Sequence, residues 1–309
     1  MSIHLYTHSV ALEHDPGPGH PEAPVRLRRI LKALDDHPDL NLVRHEAPRA
    51  TREVLGRAHT AGHVASILDM VPLQGRLPID GDTWLNPHTG EAALRAAGGA
   101  VAAVDAVLGG RTKRAFVAMR PPGHHAEPAL AMGFCFFNNV AVGATHALHV
   151  HGLERVAILD FDVHHGNGTE AIFEAEPRVL YASIHQAPLF PGTGHEADVG
   201  VGNLFNSPVP GGTRGPQWRA VLERRILPAI DDFRPELVMI SAGFDAHAAD
   251  PLASLLLTET DFAWVTERLV ELANRHADGR VVSVLEGGYD PDALARSVVT
   301  HLRALGVGT

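Results

Sequence analysis

Cysteine is almost missing from this 309-residue chain: Cys135 stands alone, so no internal disulfide can form. That is compatible with a reducing compartment. Long apolar runs are missing too. No stretch approaches the ~18 uninterrupted apolar residues of a membrane helix. The opening MSIHLYTHSVALEHD has neither the basic start nor the apolar run of a secretion signal. We therefore expect a cytoplasmic protein with no membrane partner. Basic clusters are equally scarce: the formal net charge is −10, and Arg111 to Arg114 is among the few short basic runs. Nucleic-acid binding needs a concentrated basic surface, so no nucleic-acid partner is expected. Nor is there an HExxH, GxSxG, CxxC or P-loop pattern, which removes the common zinc-protease, serine-hydrolase and kinase-like readings.

What is present is ordinary in bulk, with 45% apolar and 20% charged residues, and a chain of this length can bury a substantial core. Short β-branched runs alternate with helical patterns. The strand candidates are 3–6, 115–119, 156–160, 179–184, 237–241 and 281–285. Several are continuously apolar, as parallel strands covered on both faces are. Helix candidates at 91–108, 138–150, 261–273 and 290–305 lie between them. In the first, Leu94, Ala97, Val101, Val104 and Leu108 recur at three- and four-residue spacing. No linker or internal repeat divides the chain. The pattern predicts one α/β domain over 1–309, with a central, mostly parallel sheet and helices on both faces.

Gly and Pro gather in the segments that follow the strands, where open α/β sheets form their ligand sites. The chain has 21 histidines against 26 Lys plus Arg, so position must decide which of them carry chemistry. In Val156-Ala-Ile-Leu-Asp160-Phe-Asp162-Val-His164-His165-Gly166-Asn167-Gly168, an apolar strand runs into alternating Asp160, Asp162 and His164. A period of two turns these three to one side. Two carboxylates and an imidazole converging there call for a cation, and their oxygens and nitrogen suit zinc. A second strand ends in Asp245-Ala-His247-Ala-Ala-Asp250. Spacing alone does not choose among its three possible ligands.

The third strand end carries Arg120-Pro-Pro-Gly-His124-His125-Ala-Glu127. Beside a metal, such paired imidazoles become candidates for proton transfer. The fourth is Glu286-Gly287-Gly288-Tyr289-Asp290, where the glycines let the backbone approach a cavity and the tyrosine hydroxyl can donate to an oxyanion. By contrast, His146, His149 and His151 sit near a helix end before Gly152. There cationic side chains favour the helix dipole, and we read them as structural.

Taken together, these segments resemble the histone deacetylase superfamily. RPPGHHA, GFCFFNN, LDFDVHHGNG, SIHQAPLFPGTG, SAGFDAHAADPLA and LEGGYD occur in the family's order from Arg120 to Asp290, more than half of the chain. Upstream, the segments beginning at His20, Leu55 and Asp82 also look familial. The resemblance implies an arginase/deacetylase-like fold and a catalytic Zn2+ on Asp162, His164 and Asp250, with Asp245 nearer a monovalent-cation site or the surrounding network. It implies His125 as general base and later acid, His124 as its electrostatic neighbour held by Asp160, Asn167 as partner of His125, and Tyr289 on the substrate carbonyl. Gly133, Phe134, Phe190 and Leu257 would line a narrow tunnel. Asp160, Asp162, His164, Ser183 and Ile184 would hold a structural K+.

Two positions depart from the class I pattern. Asn167 stands where aspartate is expected, and Glu286 opens the glycine turn; both resemble class II and bacterial relatives. An amide cannot fix imidazolium charge as a carboxylate does, so His125 should be the less basic of the pair. The expected activity is removal of acetyl or other short acyl groups from lysine side chains. The alternative is an acetylpolyamine amidohydrolase acting on small acetylated amines. Pro251–Leu257 holds no acidic gatekeeper of the polyamine type, which favours acyl-lysine. A two-manganese ureohydrolase and an inactive acyl-lysine binding protein are the remaining readings; oligomeric state is not legible.

Overall fold

A computed structural model describes residues 2–306; Met1 and residues 307–309, the outer ends of the expected 1–309 domain, lie outside it. Eight strands form the main sheet: β1 Ile3–Thr7, β2 Leu42–Glu46, β5 Arg114–Val117, β6 Val156–Asp160, β7 Val179–Gln186, β8 Leu204–Val209, β9 Leu237–Ala242 and β10 Val281–Leu285. The two-residue strands β3 Leu77–Pro78 and β4 Trp84–Leu85 make a separate antiparallel pair. The main sheet runs β2-β1-β5-β10-β9-β6-β7-β8, and every pairing in it is parallel. "Mostly parallel" thus sharpens to wholly parallel.

Among the described residues ten α-helices accompany the sheet: α1 Val25–Asp35, α2 Arg52–Leu55, α3 Ala61–Asp69, α4 Thr89–Leu108, α5 Asn139–Val150, α6 Asn167–Phe173, α7 Gly215–Val221, α8 Leu227–Phe233, α9 Glu259–His276 and α10 Pro291–Gly306. Local chemistry sets their starts. Asn138 caps α5 by accepting from the Ala141 amide, Thr258 and Asp261 form a capping box on α9, and Asp290 accepts from the Ala293 amide ahead of Pro291. Neighbouring strand residues point to opposite faces. On β5, a Cβ at Gly99 of α4 would touch Val117, whereas Phe116 packs its ring against His301 of α10. Helices α4 and α5 thus cover one face and α9 and α10 the other.

The strands that carry the site, β5, β6, β9 and β10, are buried at every residue. That burial is what made them legible as unbroken apolar runs. The edges were not legible. On β2, Arg44, His45 and Glu46 interrupt the apolar pattern and the strand is largely exposed. On β8, Asn206, Ser207 and Pro208 do the same, and an edge strand tolerates that proline because one side needs no amide donor. No helix among the described residues is long and apolar enough to cross a membrane.

Candidate active site

The four central strands β5, β10, β9 and β6 are consecutive in the sheet. All run the same way, so their four motif-bearing loops emerge along one edge. This adjacency brings together segments that are 163 residues apart, as the bond from Gly123 to the Glu286 carboxylate shows. Its Oε2 accepts from the backbone N–H groups of Gly123 and His124, at 2.7 and 3.2 Å. The end of β10 thereby pins the histidine turn.

The His124 and His125 rings lie 4.0 Å apart, centroid to centroid. Nδ1 of His124 is 2.9 Å from Asp160 Oδ2, which also accepts from the Tyr181 hydroxyl at 3.2 Å. Nδ1 of His125 is 2.8 Å from Asn167 Oδ1. Asn167 cannot turn its amide over without loss, because Nδ2 donates to Glu127 Oε1 at 2.8 Å. The oxygen therefore faces His125, which places the ring proton on Nδ1 and leaves Nε2 with its lone pair. Glu127 stands 40 residues before Asn167, too far for any local pattern in the sequence to pair the two.

The two imidazoles are pushed apart in basicity. For His124, burial opposes charge, but Asp160 and then Asp162 override it and hold the ring well above the usual histidine range. For His125, burial and then the neighbouring His124 and His164 hold it well below. A cationic ring beside a neutral one is an acid–base arrangement made by environment.

Ligand-type atoms of Asp162, His164 and Asp245 lie within 4.8 Å of one another, all three residues buried. His164 Nδ1 is 3.1 Å from both Asp162 Oδ1 and Asp245 Oδ2. Burial, followed by repulsion from Asp162, pushes the Asp245 carboxyl up to about 7. Neighbouring buried carboxylates with an imidazole nitrogen aimed between them fit a divalent ion of zinc type, whose charge would relieve that repulsion. The backbone is shaped to permit the crowding: a Cβ at Gly243 would collide with Asp162, and one at Gly287 with Asp245 and Asp162. Asp250, implied by resemblance as the third ligand, stands outside this trio. Its oxygens accept from the backbone amides of Leu252 at 3.0 Å and Tyr289 at 2.6 Å. Those two N–H groups turn its carboxylate toward the tyrosine loop, and Asp245 takes the place beside His164.

Tyr289 is held from several sides. Its amide bonds Asp250, its ring meets the edge of Phe134 at 5.8 Å, and the Arg26 guanidinium carbon lies 4.8 Å over its face. Burial keeps its hydroxyl well above the usual tyrosine range, hence protonated and able to donate. Arg26 also donates to the carbonyls of Glu286 and Gly288 at 2.6 and 2.5 Å, bracing the turn on both sides of Gly287. It is paired in turn with buried Glu22, which also binds Arg120 and His14. The Glu22–Arg26 spacing of four is the sequence signal for this support.

Phe190 is 41% exposed and stands 5.1 Å from the His125 ring and 6.3 Å from the His164 ring. Phe134 has left-handed backbone at φ 68°, next to Gly133 at φ 57°. A Cβ at Gly133 would press on the His125 ring, so glycine is required there. Phe190 and Gly133 thus border His125, while Phe134 packs against Tyr289. Leu257 has no exposed surface, and its backbone bonds Ala246 and Ala248; it presents no open face of the kind Phe190 does. In the sheet, Asp160 is the register partner of Ser183 on β7, with Ile184 next along that strand. Ser183 Oγ is 2.9 Å from His185 Nδ1, and both Ser183 and Ile184 are fully buried.

A wholly parallel sheet whose central edge gathers buried carboxylates, a split histidine pair and a protonated tyrosine is the frame of an amide-cleaving hydrolase. The chain belongs to the histone deacetylase family: the "Histone deacetylase domain" model matches residues 20–305. A "Histone deacetylase-like amidohydrolase" of Pseudomonas aeruginosa is 44% identical over 278 residues, covering 88% of this chain and 73% of that protein. A "Probable deacetylase" of Archaeoglobus fulgidus is 41% identical over 296 residues, covering 94% and 82%. Among solved structures, the HDA15 HD domain superposes with a TM-score of 0.93 at 34% identity, covering 98% of this chain and 88% of that one.

Proposed function

We propose that this deacetylase-family protein is a zinc-dependent, cytoplasmic lysine deacylase that removes acetyl or other short acyl groups, with residues 1–309 forming one catalytic domain. The observation that carries the reading is the contact between His125 and Asn167: Nδ1 is 2.8 Å from Asn167 Oδ1, so Nε2 is left to act as base, and the ring stands 5.9 Å from that of His164. Asp162, His164 and Asp250 would hold the zinc, which when bound supplies Lewis-acid polarisation of the amide carbonyl and a more acidic water. His125 Nε2, the free lone pair, takes a proton from the attacking water and returns it to the leaving amine. His124, kept cationic by Asp160 and Asp162, favours negative charge developing nearby. The Tyr289 hydroxyl donates to the carbonyl oxygen as that charge develops. Phe134 and Phe190 flank a slim aliphatic stem and exclude water from it. Asp160, Asp162, His164, Ser183 and Ile184 are proposed as the K+ site.

Support for acyl-lysine over small acetylated amines comes from Pro251–Leu257, which carries no carboxylate to receive a second ammonium group. Initial rates on an acetyl-lysine peptide and on acetylputrescine, measured side by side, test this. A higher kcat/KM for the peptide is expected; clear preference for acetylputrescine overturns the lysine assignment. Two manganese ions per chain and urea-forming activity would overturn the class itself.

A further inference from the structure

Far from the catalytic edge, Asp105 in the last turn of α4 faces His146 in α5 and His151, the residue that ends α5. Nε2 of each histidine is 2.8 Å from the same oxygen, Asp105 Oδ1. The two rings lie 5.4 Å apart at 72°, so their nitrogens converge on that oxygen from different directions. The ligand-type atoms of all three residues fall within 4.8 Å of one another. We propose that Asp105, His146 and His151 form a second divalent-metal site, distinct from the catalytic one, that takes a zinc-class ion.

Two imidazoles and one carboxylate select a borderline late first-row ion over Mg2+ or Ca2+, which prefer all-oxygen cages. The ligands stand on rigid elements. Helices α4 and α5 approach closely through small residues, and a Cβ at Gly143 would already touch Ala100 and Val104. Both helices end here, and the negative end of a helix dipole favours a cation. Asp105 and His151 are partly open to solvent, with side chains 41% and 26% exposed, so water can complete the coordination. One group opposes the ion: Arg57 Nη1 lies 3.4 Å from His146 Nδ1. That contact is long, and Arg57 keeps its bond to Glu53 at 3.0 Å if it swings away. Loading would exchange a pair of N–H···O bonds for a metal link between the ends of α4 and α5.

The site cannot take part in the chemistry at the sheet edge. The Asn139 side chain, at the start of α5, donates to the Pro121 carbonyl ahead of His124. Helix α5 then carries the chain about 18 Å away at ~1.5 Å per residue. His151 and Asp105 can therefore be changed without touching the catalytic groups.

Untagged, metal-stripped protein titrated with zinc chloride in the presence of excess Mg2+ tests the proposal, with bound zinc counted per chain. The wild type is expected to bind two equivalents. His151→Ala and Asp105→Asn should bind one each while keeping a cooperative thermal transition in chelator and, once zinc-loaded, wild-type deacetylase activity. His164→Ala should retain the equivalent that His151→Ala loses, so failure here and failure of the catalytic reading are told apart. Removing Arg57 (Arg57→Gln) should tighten the second equivalent. A single equivalent in the wild type that His164→Ala abolishes, or a second one indifferent to both His151→Ala and Asp105→Asn, overturns the site and leaves a hydrogen-bonded cluster.

Discussion

Asn167 presents its Oδ1 to His125 Nδ1 at 2.8 Å because its Nδ2 is simultaneously held by Glu127 at 2.8 Å. The amide therefore works as an oriented acceptor, and Glu127 sets the orientation. Replacing Asn167 by aspartate would not simply strengthen the hold on imidazolium. It would set a carboxylate against Glu127, and one of the two would keep a proton or turn away. Asn167→Asp is expected to lower kcat more than tenfold, whereas adding Glu127→Gln restores a donor–acceptor pair and recovers part of the loss. The double variant should also show the acidic limb of its kcat/KM profile shifted to higher pH, since a carboxylate favours protonated His125. Steady-state pH profiles of the wild type and the two variants check this; a double variant no better than the single one refutes the orienting role of Glu127.

Tyr289 is placed by Asp250, Phe134 and Arg26 and kept protonated by burial. Losing an oxyanion donor typically costs on the order of 10²–10³ in turnover. Tyr289→Phe should fall at least that far in kcat while binding the same zinc. Near-normal turnover by a metal-replete Tyr289→Phe enzyme would remove the residue from the mechanism.

Asp245 and Asp250 compete for the role of third ligand, and they differ in what else they do. Asp245 bonds the Val163 amide at 2.8 Å and His164 Nδ1 at 3.1 Å, whereas Asp250 bonds the Tyr289 and Leu252 amides. With Asp250 as ligand, Asp250→Asn weakens zinc at least a hundredfold, and Asp245→Asn, which removes support for His164, weakens it less. Competitive zinc titration ranks the two. The reverse order would hand the position to Asp245.

The parts of this site that could be read from sequence are those with a local signal. Asp160, Asp162 and His164 alternate at the end of an apolar strand, and the period of two alone turns them to one side. His124–His125 and Tyr289 sit in loops marked by Pro and Gly. Recognition of the familial motifs added roles for them that spacing could not supply. What escaped were relations between segments far apart. Glu286 holding the His124 turn, Glu127 fixing Asn167, and Arg26 bracing the tyrosine loop depend on which strands lie side by side. No periodicity reports strand order. The edge strands escaped for other reasons: the polar residues of β2 lie at an open edge where burial imposed no apolar pattern, and on β8 the buried Asn206 and Ser207 break the apolar run.

Glu22 is fully buried and shared among Arg26, Arg120 and His14. Removing its charge would leave two buried guanidinium groups short of a partner, and breaking such an arrangement costs about 3–5 kcal/mol. Glu22→Gln should therefore lower the denaturant midpoint substantially. It should also reduce kcat in whatever fraction stays folded, because Arg26 braces the tyrosine loop. A variant with wild-type midpoint would show that the two arginines find compensation in the carbonyls they already bond.

His301 links α10 to the sheet from within the core. Its Nδ1 is 2.7 Å from the Thr266 hydroxyl and its Nε2 2.9 Å from the Ser283 hydroxyl, with Phe116, Phe161 and Phe244 around the ring. Burial pushes it down to about 3 from the ordinary 6.5. The folded protein thus keeps this ring neutral where the unfolded chain protonates it. Between pH 6.5 and 3 the unfolded state binds the extra proton, so stability is fully present above about 6.5 and drains as the pH falls through that window. From pH 6.5 to 5 one such group accounts for about 2 kcal/mol, at ~1.36 kcal/mol per unit. His59, pushed down to about 4 by burial and by His63, adds to the same slope. Urea midpoints measured from pH 7.5 to 5 should fall steadily, and His301→Gln, which keeps hydrogen-bonding groups but cannot titrate, should flatten the fall. An unchanged slope in that variant would assign the acid sensitivity to other buried histidines.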